Sequence, residues 1–262
     1  MDGINRTLYI PLYGRAKVSK MGIILNDKSA EEIWEKNPVP LGKQSKSRWL
    51  TYFMAMRARQ FDDWAKMQLA DHPDAIVLHI GCGLDSRVKR VNGHNHPWYD
   101  IDFPDVIAER RRFFAGSGEY RMLPGDVSSL EWLSGIDYCG TAVIIMEGVS
   151  MYLAPDTLKG LFAALTQHFS GVHLLMDVYT QFGAQVSKLK NPIKEAGVTQ
   201  TYGGDVPEIL PDACELKYIR EHSMTPPNLI NELQEPDRFV FRKLYAGSFA
   251  RKIYRLYEYQ KG

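Results

Sequence analysis

Cysteine is scarce: Cys82, Cys139 and Cys214 are the only three in 262 residues, far apart and with no C-x-x-C pair. That excludes a disulfide framework and leaves no zinc-ligand spacing, so no metal is expected. An excess of one charge is missing too. The net charge is +1, with neither a basic stripe nor an acidic tail, so nucleic acid and anionic membrane surfaces are not implied as partners. No apolar run reaches the length of a membrane span, and Met1-Asp-Gly-Ile-Asn-Arg6 lacks the apolar centre of a signal peptide. Repeats, low-complexity tracts and obvious linkers are absent. A soluble, cytoplasmic protein is the expectation. At 45% hydrophobic and 24% charged residues the composition supports one sizeable core, and the length suits a single α/β domain with a helical extension.

What is present is organised around Ala75-Ile-Val-Leu-His-Ile-Gly-Cys-Gly-Leu-Asp-Ser-Arg87. A short apolar run that ends in glycine reads as a buried parallel strand. Two glycines one residue apart let the backbone turn tightly and approach a ligand that a Cβ would push away. The tip of such a strand is where a nucleotide-like ligand sits in a doubly wound sheet. An ordinary strand-to-helix turn reads equally well from the G-x-G alone.

Residues 1–74 read as a mostly helical extension or lid, and 75–262 as the core, one structural domain overall. Ala30 to Asn37 predicts a short helix stopped by Pro38 and Pro40. Ser47 to Leu69 predicts a longer one, with Leu50, Phe53, Met54, Phe61, Trp64, Ala65 and Leu69 on one buried face. Beyond the glycine turn, 85–91 predicts a helix and Trp98-Tyr-Asp-Ile-Asp102 a second strand. Its terminal carboxylate lies 19 positions after Gly83, where an acid can accept both hydroxyls of a ribose. Asp100 competes for that role, but Phe103-Pro104 makes Asp102 the strand's last residue, and Pro104 suits the first turn of a helix over 105–114. Strands then follow at 120–127, ending near Asp126, at 142–148, ending at Glu147, and at 171–178, ending near Asp177. Asp126 either caps the next segment or meets the exocyclic amine of an adenine. A helix is expected over 155–169 and another over 181–190, with a loop at Tyr202-Gly-Gly-Asp205. A strand over 215–222, a short helix over 228–233 and a last strand over 252–260 complete the chain. That last strand alternates as a half-exposed antiparallel strand does.

Four segments resemble the leucine carboxyl methyltransferase family, and within it the bacterial O-methyltransferases of polyketide biosynthesis. Arg57-Ala-Arg-Gln-Phe-Asp-Asp63 is similar to its Arg-Thr-x-x-x-Asp, and Gly81-Cys-Gly-Leu-Asp-Ser-Arg87 to its G-x-G-L-D-T/S-R. Asp100-Ile-Asp-Phe-Pro-Asp-Val-Ile107 is similar to its E-x-D-x-P-x-V, and Glu147-Gly-Val-Ser-Met-Tyr-Leu153 to its E-G-V-L-M-Y-L. The resemblance implies a Rossmann-like class I methyltransferase fold: a seven-stranded, mostly parallel sheet with an antiparallel last strand. It also implies a site for S-adenosylmethionine (SAM). Arg57 would pair with the methionine carboxylate, helped by Arg15, and Gly81 would let the turn approach that moiety. Asp102 would hold the ribose, Asp126 and Val127 would frame the adenine, and Glu147 would lie near the amino or ribose end. His79, Arg110 and Ser150 depart from the family's usual residues.

For the acceptor, the expectation is an oxygen on a small molecule, carboxylate before phenol, because the motif-bearing strands offer no compelling base. Tyr152, Asp177 and Tyr179 should line the acceptor pocket, with His222 the remaining base candidate and His168 and His173 structural. Tyr13, Tyr202, Gly203, Gly204 and the 224–228 loop could shape a lid. Two other readings stay open. One is a nicotinamide-dependent oxidoreductase, although Ser86 stands where the third glycine of G-x-G-x-x-G would be. The other is a methyltransferase-like binding module without activity.

Overall fold

The computed structural model describes residues 7–187, 200–208 and 214–262. Three helices lead: α1 (Tyr9–Met21), α2 (Lys28–Lys36) and α3 (Arg48–Asp71). Asp27 caps α2 by accepting from the Ala30 amide at 2.9 Å. That leaves fewer of the helix's first amides without a partner.

The core alternates β1 (Ile76–Ile80), α4 (Arg87–Arg90), β2 (Trp98–Asp102), α5 (Pro104–Arg110), β3 (Tyr120–Pro124), β4 (Thr141–Met146), α6 (Pro155–His168), β5 (Gly171–Tyr179) and α7 (Gln181–Ser187). It closes with β6 (Lys217–His222), α8 (Pro227–Asn231), α9 (Asp237–Leu244), α10 (Ser248–Arg251) and β7 (Tyr254–Lys261). The strand order is β3-β2-β1-β4-β5-β7-β6. The first five strands pair in parallel, while β7 runs antiparallel to both β5 and β6. Seven strands with a reversed last one is the predicted architecture. The order changes direction between β1 and β4, which in an open α/β sheet opens a crevice at the strands' carboxyl ends.

All five residues of β1 are buried because helices cover both faces. One face packs Leu158, Leu161, Phe162 and Leu165 of α6, and the other packs Phe61, Trp64, Ala65 and Leu69 of α3. The opposite side of α3, with Tyr52 and Met56, is covered in turn by Leu229, Ile230 and Phe241 from the carboxyl-terminal helices.

Several boundaries differ from the sequence expectation. The helix after the glycine turn begins only at Arg87, because the Asp85 amide bonds back to the Cys82 carbonyl and prolongs the turn. The helix expected over 228–233 is α8 (Pro227–Asn231), and two further short helices, α9 and α10, follow it where none was expected. The predicted helix at 181–190 is seen as far as Ser187, and its last residues lie outside those described.

A candidate active site at the carboxyl ends of the strands

The turn after β1 is fixed from two sides. Gly83 adopts φ +49°, and its amide donates to Asp102 Oδ2 at 2.8 Å. From α5, Arg110 donates to the carbonyls of Gly83 at 2.9 Å and of Asp85 at 2.6 Å. Gly81 adopts φ +68°, and a Cβ there would meet Val149 Cγ2 at 2.2 Å. The missing side chain thus admits Val149, a neighbour within the chain, in addition to freeing the backbone.

Asp102 accepts from the amides of Gly83 and Phe103, and burial still raises its pKa to about 6. Asp100, two residues deeper on the same strand, is fully enclosed. Its carboxylate takes bonds from Trp98 Nε1 at 2.9 Å, Tyr120 Oη at 2.6 Å and His79 Nδ1 at 3.2 Å, and pairs with Arg110. Burial opposes its charge, but Arg110 and these bonds prevail and hold its pKa at about 2. Asp102 is the last residue of β2 and is only partly buried, whereas Asp100 is enclosed.

Arg57 comes from α3 and meets the ends of three strands. Its Nε donates to Glu147 Oε1 at 2.9 Å, and its Nη1 donates to Tyr254 Oη at 2.9 Å and lies 3.0 Å from Asp177 Oδ2. Its Nη2 bonds to no other described residue. Glu147 also pairs with Arg87, whose other partners are Asp62 at 2.8 Å, Asp85 at 3.2 Å and His79 Nε2 at 3.0 Å. Burial works against the Glu147 charge, but Arg57 and Arg87 lower its pKa nonetheless. Because a guanidinium only donates, His79 accepts through Nε2 and carries its proton on Nδ1, facing Asp100. Burial lowers the His79 pKa and keeps the ring neutral.

A cavity of about 580 Å³ opens over these groups, within the range of small-molecule sites. Arg57, Gly81, Asp102, Asp126, Val127 and Glu147 all line it. Asp126 also accepts from the Ser128 amide at 2.8 Å and so caps the turn that follows it. Arg15 lines the cavity too, but its guanidinium is engaged by Asp27 at 3.0 Å and the Leu84 carbonyl at 3.1 Å. The rest of the lining is largely apolar and aromatic, with Leu8 and Pro11 of the leading segment, Leu50 and Met54 of α3, and Tyr152, Tyr179, Tyr202 and Tyr254.

Two acceptor-pocket expectations are overturned. Asp177 does not line the cavity: it is fully buried, with the Gly148 amide on Oδ1 at 2.7 Å and Tyr254 Oη on Oδ2 at 2.6 Å. The closing strand roofs it over. His222 is no base for this site either, since its Nε2 is bound to Glu258 Oε2 at 2.7 Å and it is not part of the lining. Tyr13, which packs on Trp34 at 5.0 Å, and the 224–228 loop are also outside the lining. His168 bonds the Ile136 carbonyl at 3.1 Å and His173 packs on His72 at 4.1 Å, as structural residues would. Sequence reasoning missed Arg87, Arg110 and Tyr254 as parts of the site. Only Arg87 had a local signal, its place at the end of the glycine motif.

The donor set fits an adenosyl amino acid. It offers an ionisable acid at the second strand tip, a glycine turn with positive φ, and a buried guanidinium with one nitrogen not engaged by any described residue. No group of three metal-ligating side chains exists among the described residues.

Comparison with known proteins agrees. The leucine carboxyl methyltransferase family model matches residues 11–166. The tetracenomycin polyketide synthesis O-methyltransferase of Streptomyces glaucescens is 26% identical over 97% of both chains. A SAM-dependent methyltransferase of Gibberella zeae is 30% identical over 66% of this chain and 64% of its own. The magnesium protoporphyrin IX methyltransferase of Synechocystis PCC 6803, solved with S-adenosylhomocysteine bound, shares the fold at a TM-score of 0.50 and 13% identity, over 90% of this chain and 95% of that one. The chain therefore belongs to the leucine carboxyl methyltransferase family and is a SAM-dependent methyltransferase.

Proposed function

We propose that the protein transfers the methyl group of SAM to an oxygen of a small-molecule acceptor, a carboxylate before a phenol. The observation that carries this reading is the cavity's mixed lining. Charged groups, Arg57, Asp102, Asp126 and Glu147, share it with apolar side chains and four tyrosines, Tyr152, Tyr179, Tyr202 and Tyr254. The name of the Streptomyces glaucescens relative supports an oxygen as acceptor and a polyketide-like molecule as its bearer.

Arg57, Gly81, Asp102, Asp126, Val127 and Glu147 hold the cofactor, which supplies a methyl group on a positively charged sulfur. Asp102 takes the ribose hydroxyls, with the Gly83 and Phe103 amides fixing its carboxylate. Arg57 takes the carboxylate of the amino-acid end. Tyr152 and Tyr179 line the acceptor's side and orient its ring. Aligning an acceptor oxygen with the methyl group and excluding water is the main catalytic task of such a site. A carboxylate acceptor arrives ionised and needs no base. Residues up to 74 act as a cover, since Leu8 and Pro11 meet the cavity beside Leu50 and Met54.

The test is label transfer from methyl-labelled SAM to a panel of aromatic carboxylic acids and phenols. Label that alkali releases identifies an ester and supports the carboxylate reading. Alkali-stable label identifies an ether and moves the acceptor to a phenol. Label on nitrogen or carbon, or on none of the panel, removes the proposal.

A further inference from the structure

Asp177 does not line the cavity and Tyr254 does, yet both are spent on the same guanidinium. Asp177 lies two residues before the end of β5 and Tyr254 begins β7, two strands paired antiparallel, with Tyr254 directly opposite Tyr179. The Tyr254 ring is held between Tyr179, at 4.8 Å, and Phe53, at 6.1 Å. Its hydroxyl does two things at once: it donates to Asp177 Oδ2 at 2.6 Å and accepts from Arg57 Nη1 at 2.9 Å. Asp177 is itself fixed by the Gly148 amide at 2.7 Å. Glu147 holds the Nε edge of Arg57 at 2.9 Å. With Nε and Nη1 held from two sides, the planar fork can point Nη2 in one direction only; Nη2 lies beside Gly148, which puts no side chain against it (a Cβ there would be 3.5 Å away), and both residues line the cavity.

We propose that Asp177 and Tyr254 are positioning residues: they form a bracket that aims Arg57 Nη2 at the carboxylate of the cofactor's amino-acid end. The closing antiparallel strand thereby contributes to cofactor selection as well as to the sheet. This rests on the SAM reading of the cavity and on Arg57 meeting that carboxylate. The Tyr254 ring also lines the cavity, but its hydroxyl acts through Arg57, so loss of that hydroxyl is felt only by ligands that carry the carboxylate.

The experiment is calorimetric titration of wild type and Tyr254→Phe with two probes. S-adenosylhomocysteine carries ammonium and carboxylate, whereas 5′-(3-aminopropylthio)-5′-deoxyadenosine keeps the ammonium and lacks the carboxylate. Phenylalanine preserves the ring packing against Tyr179 and Phe53. The bracket predicts that Tyr254→Phe weakens S-adenosylhomocysteine about fivefold, the net scale of one hydrogen bond, while the aminopropyl probe changes less than twofold. Asp177→Asn, which keeps the volume, should show the same selectivity with a larger loss. Equal weakening of both probes would assign Tyr254 a merely structural role and overturn the proposal, as would unchanged S-adenosylhomocysteine affinity. Failure of wild type to bind S-adenosylhomocysteine at all would instead overturn the cofactor reading beneath it.

Discussion

Two regions of β2, two residues apart on one face, carry chemically identical side chains in opposite circumstances. Asp100 lies within a closed set of partners, Arg110, His79, Tyr120 and Trp98, and stays ionised down to a pKa of about 2. Asp102 at the tip has two amides and no cation in direct contact, and burial lifts it to about 6. The difference separates a carboxylate that organises the protein from one that is left for a ligand. Every lone pair of the first is turned inward, whereas the second faces a cavity and is kept near neutrality in its titration. The same division recurs between Asp177, enclosed by Tyr254, Arg57 and the Gly148 amide, and Glu147, which has two guanidinium partners and still lines the cavity.

The comparison breaks most visibly at Asp100. Asp100→Asn leaves Arg110 fully buried without its counter-charge and should lower unfolding free energy by about 3–5 kcal/mol, read from the urea midpoint. Asp102→Asn, which can still accept from the Gly83 amide, should shift that midpoint far less. Equal losses would erase the distinction.

A pH titration sharpens it. The free Asp102 takes up a proton near pH 6, and only its ionised form accepts two hydroxyls. Affinity for S-adenosylhomocysteine should therefore be full at pH 7 and fall about three- to tenfold by pH 5, measured by calorimetry. Asp102→Asn should flatten this profile. Asp100 cannot produce it, because its depressed pKa lies well below the window; its contribution to stability is present above the ordinary carboxylate range and fades only as pH drops toward 2.

Smaller effects are expected on the aromatic wall. Tyr152→Phe and Tyr179→Phe should each lower kcat/KM less than about tenfold, as lining residues do and obligate bases do not. His222→Ala, away from the cavity, should leave kcat/KM within about twofold, since a single buried contact to Glu258 is all it loses.

How much of this the sequence shows depends on how far apart the partners lie. The tip of β2 is legible because its signals are local: the glycine turn, the spacing to Asp102 and the Phe103-Pro104 stop. The antiparallel last strand is legible from alternation in β7, whereas the strand order is not, because it is set by pairings between segments distant in the sequence. Asp177 is misjudged because what encloses it, Tyr254, lies 77 residues further on. His222 is misjudged for the same reason, its partner Glu258 lying 36 residues away across the β6–β7 pairing. Arg110 reaches back 25 residues to the Asp85 carbonyl and 27 to that of Gly83. Nothing near it in the sequence marks it as a support of the glycine turn. The helix α1 escapes localisation because it is packed on several sides, with Leu12, Ala16 and Val18 all buried, which blurs the one-sided stripe that a surface helix shows.

The most direct test is the affinity of S-adenosylhomocysteine for wild type and for Asp102→Ala at pH 7, with thermal unfolding as the control on fold. If Asp102 receives the ribose, the variant binds more weakly by about 1.5–3 kcal/mol while unfolding nearly as wild type does. Equal affinity in the two proteins would contradict the assignment of this cavity to the adenosyl group.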